Sequence, residues 1–393
     1  MFRFLRFRAR RWSFVVIAAA LAFWAHERPA RAYPQWQLST GAVRCNQCHY
    51  APAGGGLINN YGRDAVGEDL STFGGDGAFL HGAATLPSWL ALGADLRGAF
   101  VDQSVQDPNG PTIAVFPMQA DATARLALPA GFSLEGVVGL RGQVRDPDVL
   151  IPIQDFQPVS TSQLISREHY LMWEPEAVGP YLRVGRFYAP YGLRMAEHIL
   201  YINRDLGYDE LEETYNVSGG FVYPNAELHL TAFAPDFVRH IGSDEKGFAG
   251  YLESRFADDT VAVAAQGRVA SSPGVTKVMT GLVGKGYLEP LHLLLLGEVD
   301  LVNQIFTELD DTTRMQVVGA AGFTLFPTKG VMITVLGERN QVDLQVDDAY
   351  TAGTVLINWF PYAHFELQLM ERVQVPSGGS AANTLFFQIH YFL

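Results

Sequence analysis

Cysteine is nearly missing from this 393-residue chain: it has two, Cys45 and Cys48. A zinc site built on them would need a second ligand pair, and no further C-x-x-C and no H-x-x-x-H exists to supply one. A disulfide across so short a loop would constrain almost nothing. Charge is also scarce. Only 18% of residues are charged, against 12% aromatic and 39 glycines, a low charge content for a soluble enzyme. The net charge of -13 argues against a nucleic-acid partner. Long apolar runs are absent, for Phe14–Trp24 and Leu291–Leu296 are both too short to span a bilayer as helices. There is no Ser/His/Asp or paired-carboxylate spacing of catalytic kind, no phosphate-binding glycine loop, and no internal repeat larger than a hairpin.

The two cysteines sit in Cys45-Asn46-Gln47-Cys48-His49. C-x-x-C-H is the attachment signature of a c-type haem. Two thiols at this spacing add to the two vinyl groups of one porphyrin, and the adjacent imidazole of His49 serves as the proximal iron ligand. One covalent haem c is therefore the expected cofactor. No methionine lies between Tyr33 and Pro117, so a local Met ligand for the sixth position is missing.

Upstream of the motif, Arg3, Arg6, Arg8, Arg10 and Arg11 precede the apolar run, and Ala30-Arg31-Ala32 forms an A-x-A cleavage site. Residues 1–32 are expected to be an export signal. Residues 33–85 carry the haem motif and many glycines. Leu57–Arg63 is expected to form one short helical turn ending at Gly62, with the rest as loop. A segment this small cannot enclose a haem by itself, so its pocket must be completed elsewhere in the chain.

From residue 86 to 393 the pattern has period two. Phe132, Leu134, Val138 and Leu140 alternate with Ser133 and Glu135; Leu293, Leu295, Val299 and Leu301 oppose His292, Glu298 and Asp300; Phe365, Leu367 and Leu369 oppose His364, Glu366 and Gln368. Apolar residues on one face and ionisable ones on the other, over segments of about ten, indicate a transmembrane β-barrel. About sixteen such segments occur, between 89–101 and 383–393. Connections alternate between short ones, such as Pro129-Ala130, Pro224 and Pro361-Tyr362, and long ones, such as 145–165 and 188–213, with 271–273 the exception. Short turns belong on the periplasmic side, which places both barrel ends there. The final strand, with Leu385, Phe387, Ile389, Tyr391 and Leu393 at every second position, is similar to the C-terminal sorting signal of outer-membrane barrels. The expected fold is all-β: an outer-membrane barrel of about sixteen antiparallel strands whose lumen is plugged by the short haem segment. A soluble sandwich is the competing architecture.

Several residues are candidates for the sixth iron ligand. His81 is the other histidine of the haem segment, while the alternation points His229, His292, His364 and His390 into the lumen near the periplasmic strand ends. Polar rim residues are the plainer account of the latter four. The outer loops are acidic, with Asp209, Glu210, Glu212, Glu213, Asp310 and Asp311 prominent. They would draw cations toward the barrel or remain solvated loop charge. The stretch Val184–Arg194, which opens the longest loop, either folds inward as a constriction or is simply a turn.

With these parts in order, the chain resembles the fused monohaem cytochrome–porin family of outer-membrane proteins, whose best-known members are iron oxidases. The resemblance rests on the signal, one C-x-x-C-H near the mature start and a barrel of this size. At motif level it covers Cys45 to Arg63, where Pro52, Leu57, Asn59 or Asn60, Tyr61 and Gly62 occupy family-like positions. It implies that Cys45 and Cys48 are the thioether positions and His49 the proximal ligand. It further implies electron transfer between an extracellular donor or acceptor, ferrous iron among them, and a periplasmic carrier such as a soluble cytochrome, with the outer-membrane lipid around the barrel. A haem-gated porin passing small solutes and a haem peroxidase-like enzyme are the alternatives.

Overall fold

Alternation of apolar and polar side chains carries sixteen stretches of the chain into antiparallel strands, because successive side chains on a strand point to opposite faces. The computed structural model describes residues 34–39, 41–104, 112–141, 163–209, 212–237, 244–307 and 312–393. The expected export signal and the loop carboxylates Glu210, Asp310 and Asp311 lie outside the described residues. In chain order the strands are β1 (Leu90–Ser104), β2 (Thr112–Ala127), β3 (Phe132–Arg141), β4 (Gln163–Trp173), β5 (Gly179–Phe187), β6 (Thr214–Val222), β7 (Ala226–Ala234) and β8 (Lys246–Phe256). They continue as β9 (Val261–Ser272), β10 (Val275–Leu288), β11 (Leu293–Phe306), β12 (Thr312–Thr328), β13 (Val331–Gln341), β14 (Ala349–Trp359), β15 (Phe365–Pro376) and β16 (Ala382–Phe392). Each pairs with its sequence neighbours, and β1 pairs with β16 to close the barrel, with Arg97 opposite His390 and Phe100 opposite Phe387. Closure leaves no edge strand open to pair with another chain.

The faces divide as the alternation requires. Leu134, Leu140, Leu230, Phe248 and Leu282 are exposed on the outside, whereas Ser133, Glu135, Glu253, Asp300, Glu338 and Gln368 are buried inside. The lumen is not uniformly polar, however. Met279, Leu294, Val318, Leu336, Leu356 and Met370 also face inward and are buried. What covers them is the connection from β5 to β6, which turns into the barrel. Its Leu193, Met195, Leu200, Ile202 and Leu206 pack with that wall in one core, joined by Leu38 and Val43 from the N-terminal segment. A one-turn helix, α2 (Tyr201–Arg204), sits in this connection. Of the two expectations for Val184–Arg194, the inward fold is the one observed.

The N-terminal segment lies at the end of the barrel that carries the short turns. Trp36 packs on Phe360 with ring centroids 5.0 Å apart. Thr72 N donates to Phe360 O at 2.8 Å and Phe73 N to Pro361 O at 2.9 Å, so the segment adds backbone bonds to the β14–β15 turn. Arg63 Nη2 donates to Leu92 O at 2.6 Å, at the start of β1, and Asn46 Nδ2 to Ala177 O at 2.6 Å, in the β4–β5 turn. The helix of this segment differs from the expectation. Helix α1 (Asn60–Asp64) starts three residues later than the turn expected over Leu57–Arg63, runs through Gly62 instead of ending there, and continues as a wider π-type stretch through Leu70. The reason is Asn59, whose side-chain oxygen accepts from Gly62 N at 2.9 Å and so caps a helix N-terminus there.

Candidate functional site

The motif is a tight 3-10 turn, Cys45–Gln47, entered from an extended Arg44. Gln47 Oε1 closes it by accepting from Val43 N (2.7 Å) and Arg44 N (2.9 Å). Cys48 N and His49 N both donate to Cys45 O, at 3.2 and 3.0 Å. Both cysteines and the imidazole are thus fixed on one short loop. A second span holds that loop from behind. His49 pairs with Ile58 in a single antiparallel bridge, and Asn59 N donates to Cys48 O at 2.8 Å. Asn59 Nδ2 faces three carbonyls of the motif, Asn46 O, Gln47 O and His49 O, at 3.3, 3.0 and 3.2 Å.

Two glycines are required by close approach. A Cβ on Gly54, which has φ of +79°, would lie 3.0 Å from Cys45 Cβ and 3.3 Å from its sulfur. A Cβ on Gly62 would lie 2.4 Å from Cys48 O. Burial pushes the Cys48 thiol up to about 12, the neighbouring Cys45 adding to this, and burial raises Cys45 too. Both sulfurs are held in their neutral state, the charge state that a thioether also has.

Beside the motif is an open cleft, lined by Pro34, Gln37, Ala42, Arg44, Cys45, Cys48, His49, Ala53, Gly54, Gly55, Leu193, Arg194 and Lys285. It is therefore composite: the N-terminal segment gives the floor, the inward connection gives Leu193 and Arg194, and β10 gives Lys285. Charged groups knit these walls together. Arg194 donates to Ala53 O and lies 3.7 Å from Glu227. Arg255 Nη2 meets Glu227 at 2.6 Å and Glu253 at 2.9 Å. Lys285 Nζ meets Glu253 at 2.6 Å and donates to Gln37 Oε1 at 2.6 Å.

The proposed distal histidines occupy other places, and none of the five lines the cleft. His81 is exposed, 3.2 Å from Tyr391 OH, with its ring T-shaped on His364 at 5.0 Å. His364 is buried but stands in the β14–β15 turn, with φ of +64°, rather than on a strand. Burial drives its pKa down to about 4, helped by His81 and Arg63, so it stays neutral. His390 lies inside between Glu366 (2.8 Å) and Asp95 (3.0 Å). His229 is nearest in connection to the cleft: its Nδ1 is 2.7 Å from Tyr181 OH and its Nε2 is 3.5 Å from Glu227, the carboxylate shared with Arg194 and Arg255. His292 lies off the strand, its Nδ1 3.4 Å from the OH of inward-facing Tyr287. It is exposed in the β10–β11 turn, left-handed at φ +45°, because the strand pattern breaks at Glu289–Leu291 and β11 begins only at Leu293.

The described acidic residues of the outer loops are partly engaged. Asp209 faces His198 at 3.3 Å, and Asp209 N donates to Glu212 Oε2. Glu213 is buried in the lumen against Arg186 (3.3 Å) and Arg167 (3.7 Å) rather than set in a solvated loop.

Sequence reasoning did not single out Gln37, Lys285, or the wall carboxylates that anchor the inward connection. Those carboxylates form a second cluster. Tyr191 OH donates to Asp300 Oδ1 (2.7 Å), Leu193 N to Glu298 Oε2 (2.7 Å) and Tyr201 N to Glu338 Oε2 (2.7 Å). Gln266 Nε2 bridges Glu298 Oε1 (2.8 Å) and Asp300 Oδ1 (2.9 Å), while its Oε1 accepts from Gly192 N (2.7 Å). Strand parity could have found Lys285, since it shares the inward face with Val283 and Tyr287.

No family model and no curated protein matches the chain. Solved structures do. OmpT of Vibrio cholerae, as expressed in the outer membrane, superposes with a TM-score of 0.56 at 11% identity, over 79% of this chain and 99% of that one. The anion-selective porin from Comamonas acidovorans gives 0.55 at 8%, over 77% and 99%. OprB of Pseudomonas putida at high pH gives 0.56 at 8%, over 77% and 94%. At these identities the likeness concerns the fold: this chain has a porin-like barrel.

Proposed function

We propose that the protein is an outer-membrane c-type cytochrome built into a porin-like barrel, which moves electrons between an extracellular donor and a periplasmic carrier. One observation carries the reading. The C-x-x-C-H loop is not at the tip of a free tail but inside a cleft at the short-turn mouth of the barrel, under the inward connection. The outward band of Leu, Val and Phe suits lipid, and the sixteen-strand closure suits a bilayer, where every backbone polar group needs an internal partner.

The residues present fit a covalent haem. Gly54 leaves open the face of Cys45 that any larger residue would occupy. When attached, the haem supplies a one-electron couple. The chain's own part is then to position and to seal. Gln47 and Asn59 hold the two sulfurs and the His49 ring on one rigid turn. Leu193 lines the cleft from the inward connection, and Leu38 packs with it in one core. Extracellular ferrous iron is the donor that the acidic outer loops favour, since hard cations prefer oxygen ligands.

The test is to produce the full chain together with haem-maturation machinery and to assay the purified outer-membrane fraction. The expected result is a c-type pyridine hemochrome that ferrous iron reduces. A hemochrome indifferent to iron would remove iron as donor while leaving the conduit. Absence of covalent haem would remove both. The porin fold supports a second reading, a solute channel gated by the N-terminal segment. In planar bilayers a conduit with this packed lumen stays nearly closed, whereas a channel conducts.

A further inference from the structure

The cleft carries more positive charge than its own carboxylates balance. Arg44, Arg194 and Lys285 line it, and Arg255 stands directly behind. Against these four cations the surrounding wall offers two buried carboxylates, Glu227 and Glu253. Asp259 approaches Arg44 only from a half-buried turn at the periplasmic end, and His229 adds no negative charge. The hydrogen bonding is incomplete in the same place. Arg255 is 3% exposed, yet its Nε and Nη1 make no hydrogen bond among the described residues, and neither does Arg44 Nε. Buried guanidinium donors are costly unless they are met by an acceptor, and a buried charge is costly unless it is paired. An excess of cations, with idle donors on Arg255 and Arg44 beside a haem-attachment loop, describes a seat for a dicarboxylate.

We infer that Arg44, Arg194 and Lys285 form the seat for the two haem propionates, which offset the excess positive charge of the cleft. The inference rests on the haem reading above and deepens it. It assigns the inward connection a specific task, since Arg194 stands two and three residues after Gly192 and Tyr191, which are bonded to the wall. It also explains why Lys285 is held by Gln37 of the N-terminal segment: one ammonium spans the seat and the peptide that leads into the motif.

The test uses the full-length haem-loaded protein and the variants Arg44→Gln and Arg194→Gln, with Arg44→Lys and Arg194→Lys as charge-retaining controls. Barrel folding is checked by heat-modifiable gel mobility, and haem content by pyridine hemochrome. Three outcomes are expected from the Gln variants at normal haem content. The propionate bending band in resonance Raman shifts. Proton affinity of the propionates rises at least ten-fold. The midpoint potential, flat with pH in the parent between pH 6 and 8, becomes pH-dependent. The Lys variants restore the parent behaviour. If both Gln variants bind haem normally and leave the Raman band and the pH profile unmoved, the seat is elsewhere and the inference is overturned. It is overturned equally if the potential responds to added inorganic phosphate in the parent but not to the substitutions, which would mark a small-anion site. A parent protein without hemochrome overturns the haem reading itself, and that outcome is distinguishable from the other two.

Discussion

Two of the charged clusters in the barrel interior differ in how they are satisfied. Around the cleft, cations exceed carboxylates, and Arg44 and Arg255 keep donors without partners among the described residues. Where the inward connection meets β11 and β9, carboxylates stand alone: no cation among the described residues forms an ion pair with Glu298 or Asp300. Yet they are well bonded, through Tyr191 OH, Leu193 N and Gln266 Nε2. The second cluster is thus complete as an anchor, its acceptors filled by neutral donors of the chain. The first is incomplete in the sense of a binding site. Charge excess alone does not separate the two; the state of the hydrogen bonds does.

The contrast predicts opposite responses to loss of charge. The largest effect is expected in the cleft. Arg255→Met strips Glu227 and Glu253 of a shared buried partner, and unfolding in detergent should become easier by about 3–5 kcal/mol. A loss below about 1 kcal/mol would mean that the two carboxylates are not charged there, and the comparison would collapse.

A second effect should follow pH. Glu197, in the inward connection, is buried, and desolvation lifts its pKa to about 7; Glu366 acts in the same direction, while its own backbone N–H and the Gln368 amide oppose it. The folded pKa exceeds the usual carboxyl value, so the folded state binds the proton more tightly. Its contribution is full below about pH 4.5 and is lost as pH rises to about 7, by up to about 3 kcal/mol. Amide protection over residues 195–203, taken as exchange relative to the intrinsic rate at each pH, should therefore fall between pH 5 and 7.5, and Glu197→Gln should flatten that profile. A parent profile already flat would show that the carboxyl reaches water.

Much of this molecule was legible beforehand, for a physical reason. A β-barrel writes its fold locally: parity along each strand declares inside and outside, so all sixteen strands and both types of connection could be placed from residues such as Ser133, Glu135 and Gln368. The motif was legible because its chemistry is contiguous. The cleft was not, because its walls meet across the fold. Lys285 and Gln37 are 248 residues apart in sequence, and no periodicity announces such a pair. The histidines show the same limit. Parity placed His229 and His390 inside correctly, but His292 fell just beyond a strand end, where parity no longer applies. Asn59 was visible as a polar residue near the motif; that it caps a helix and clamps three motif carbonyls depends on the bridge between His49 and Ile58.

Gln266 offers a sharper probe of the anchor. Gln266→Leu removes the amide that bridges both carboxylates and supports Gly192 N, leaving acceptors and a donor unmet in the lumen. A loss of about 2 kcal/mol is expected, together with faster proteolysis of the 188–208 connection. Intact protection of that connection would show that its apolar packing suffices without the bridge.

The smallest effect is the most discriminating, because its sign is at stake. Asp300→Asn keeps the shape of the side chain and keeps an oxygen to accept from Tyr191 OH and Gln266 Nε2. It removes one of two neighbouring carboxylates that have no counter-cation among the described residues, and like charges at close quarters disfavour each other. Unfolding free energy should stay unchanged or rise by up to about 1 kcal/mol. Glu253→Gln makes the same chemical change in the cleft, where Arg255 and Lys285 depend on the charge, and it should cost about 3 kcal/mol. Measured side by side in one detergent at one pH, the pair isolates environment from chemistry. Equal losses at the two positions would mean that the anchor's carboxylates also rely on a positive partner, and the distinction between a finished anchor and a seat awaiting a ligand would fall.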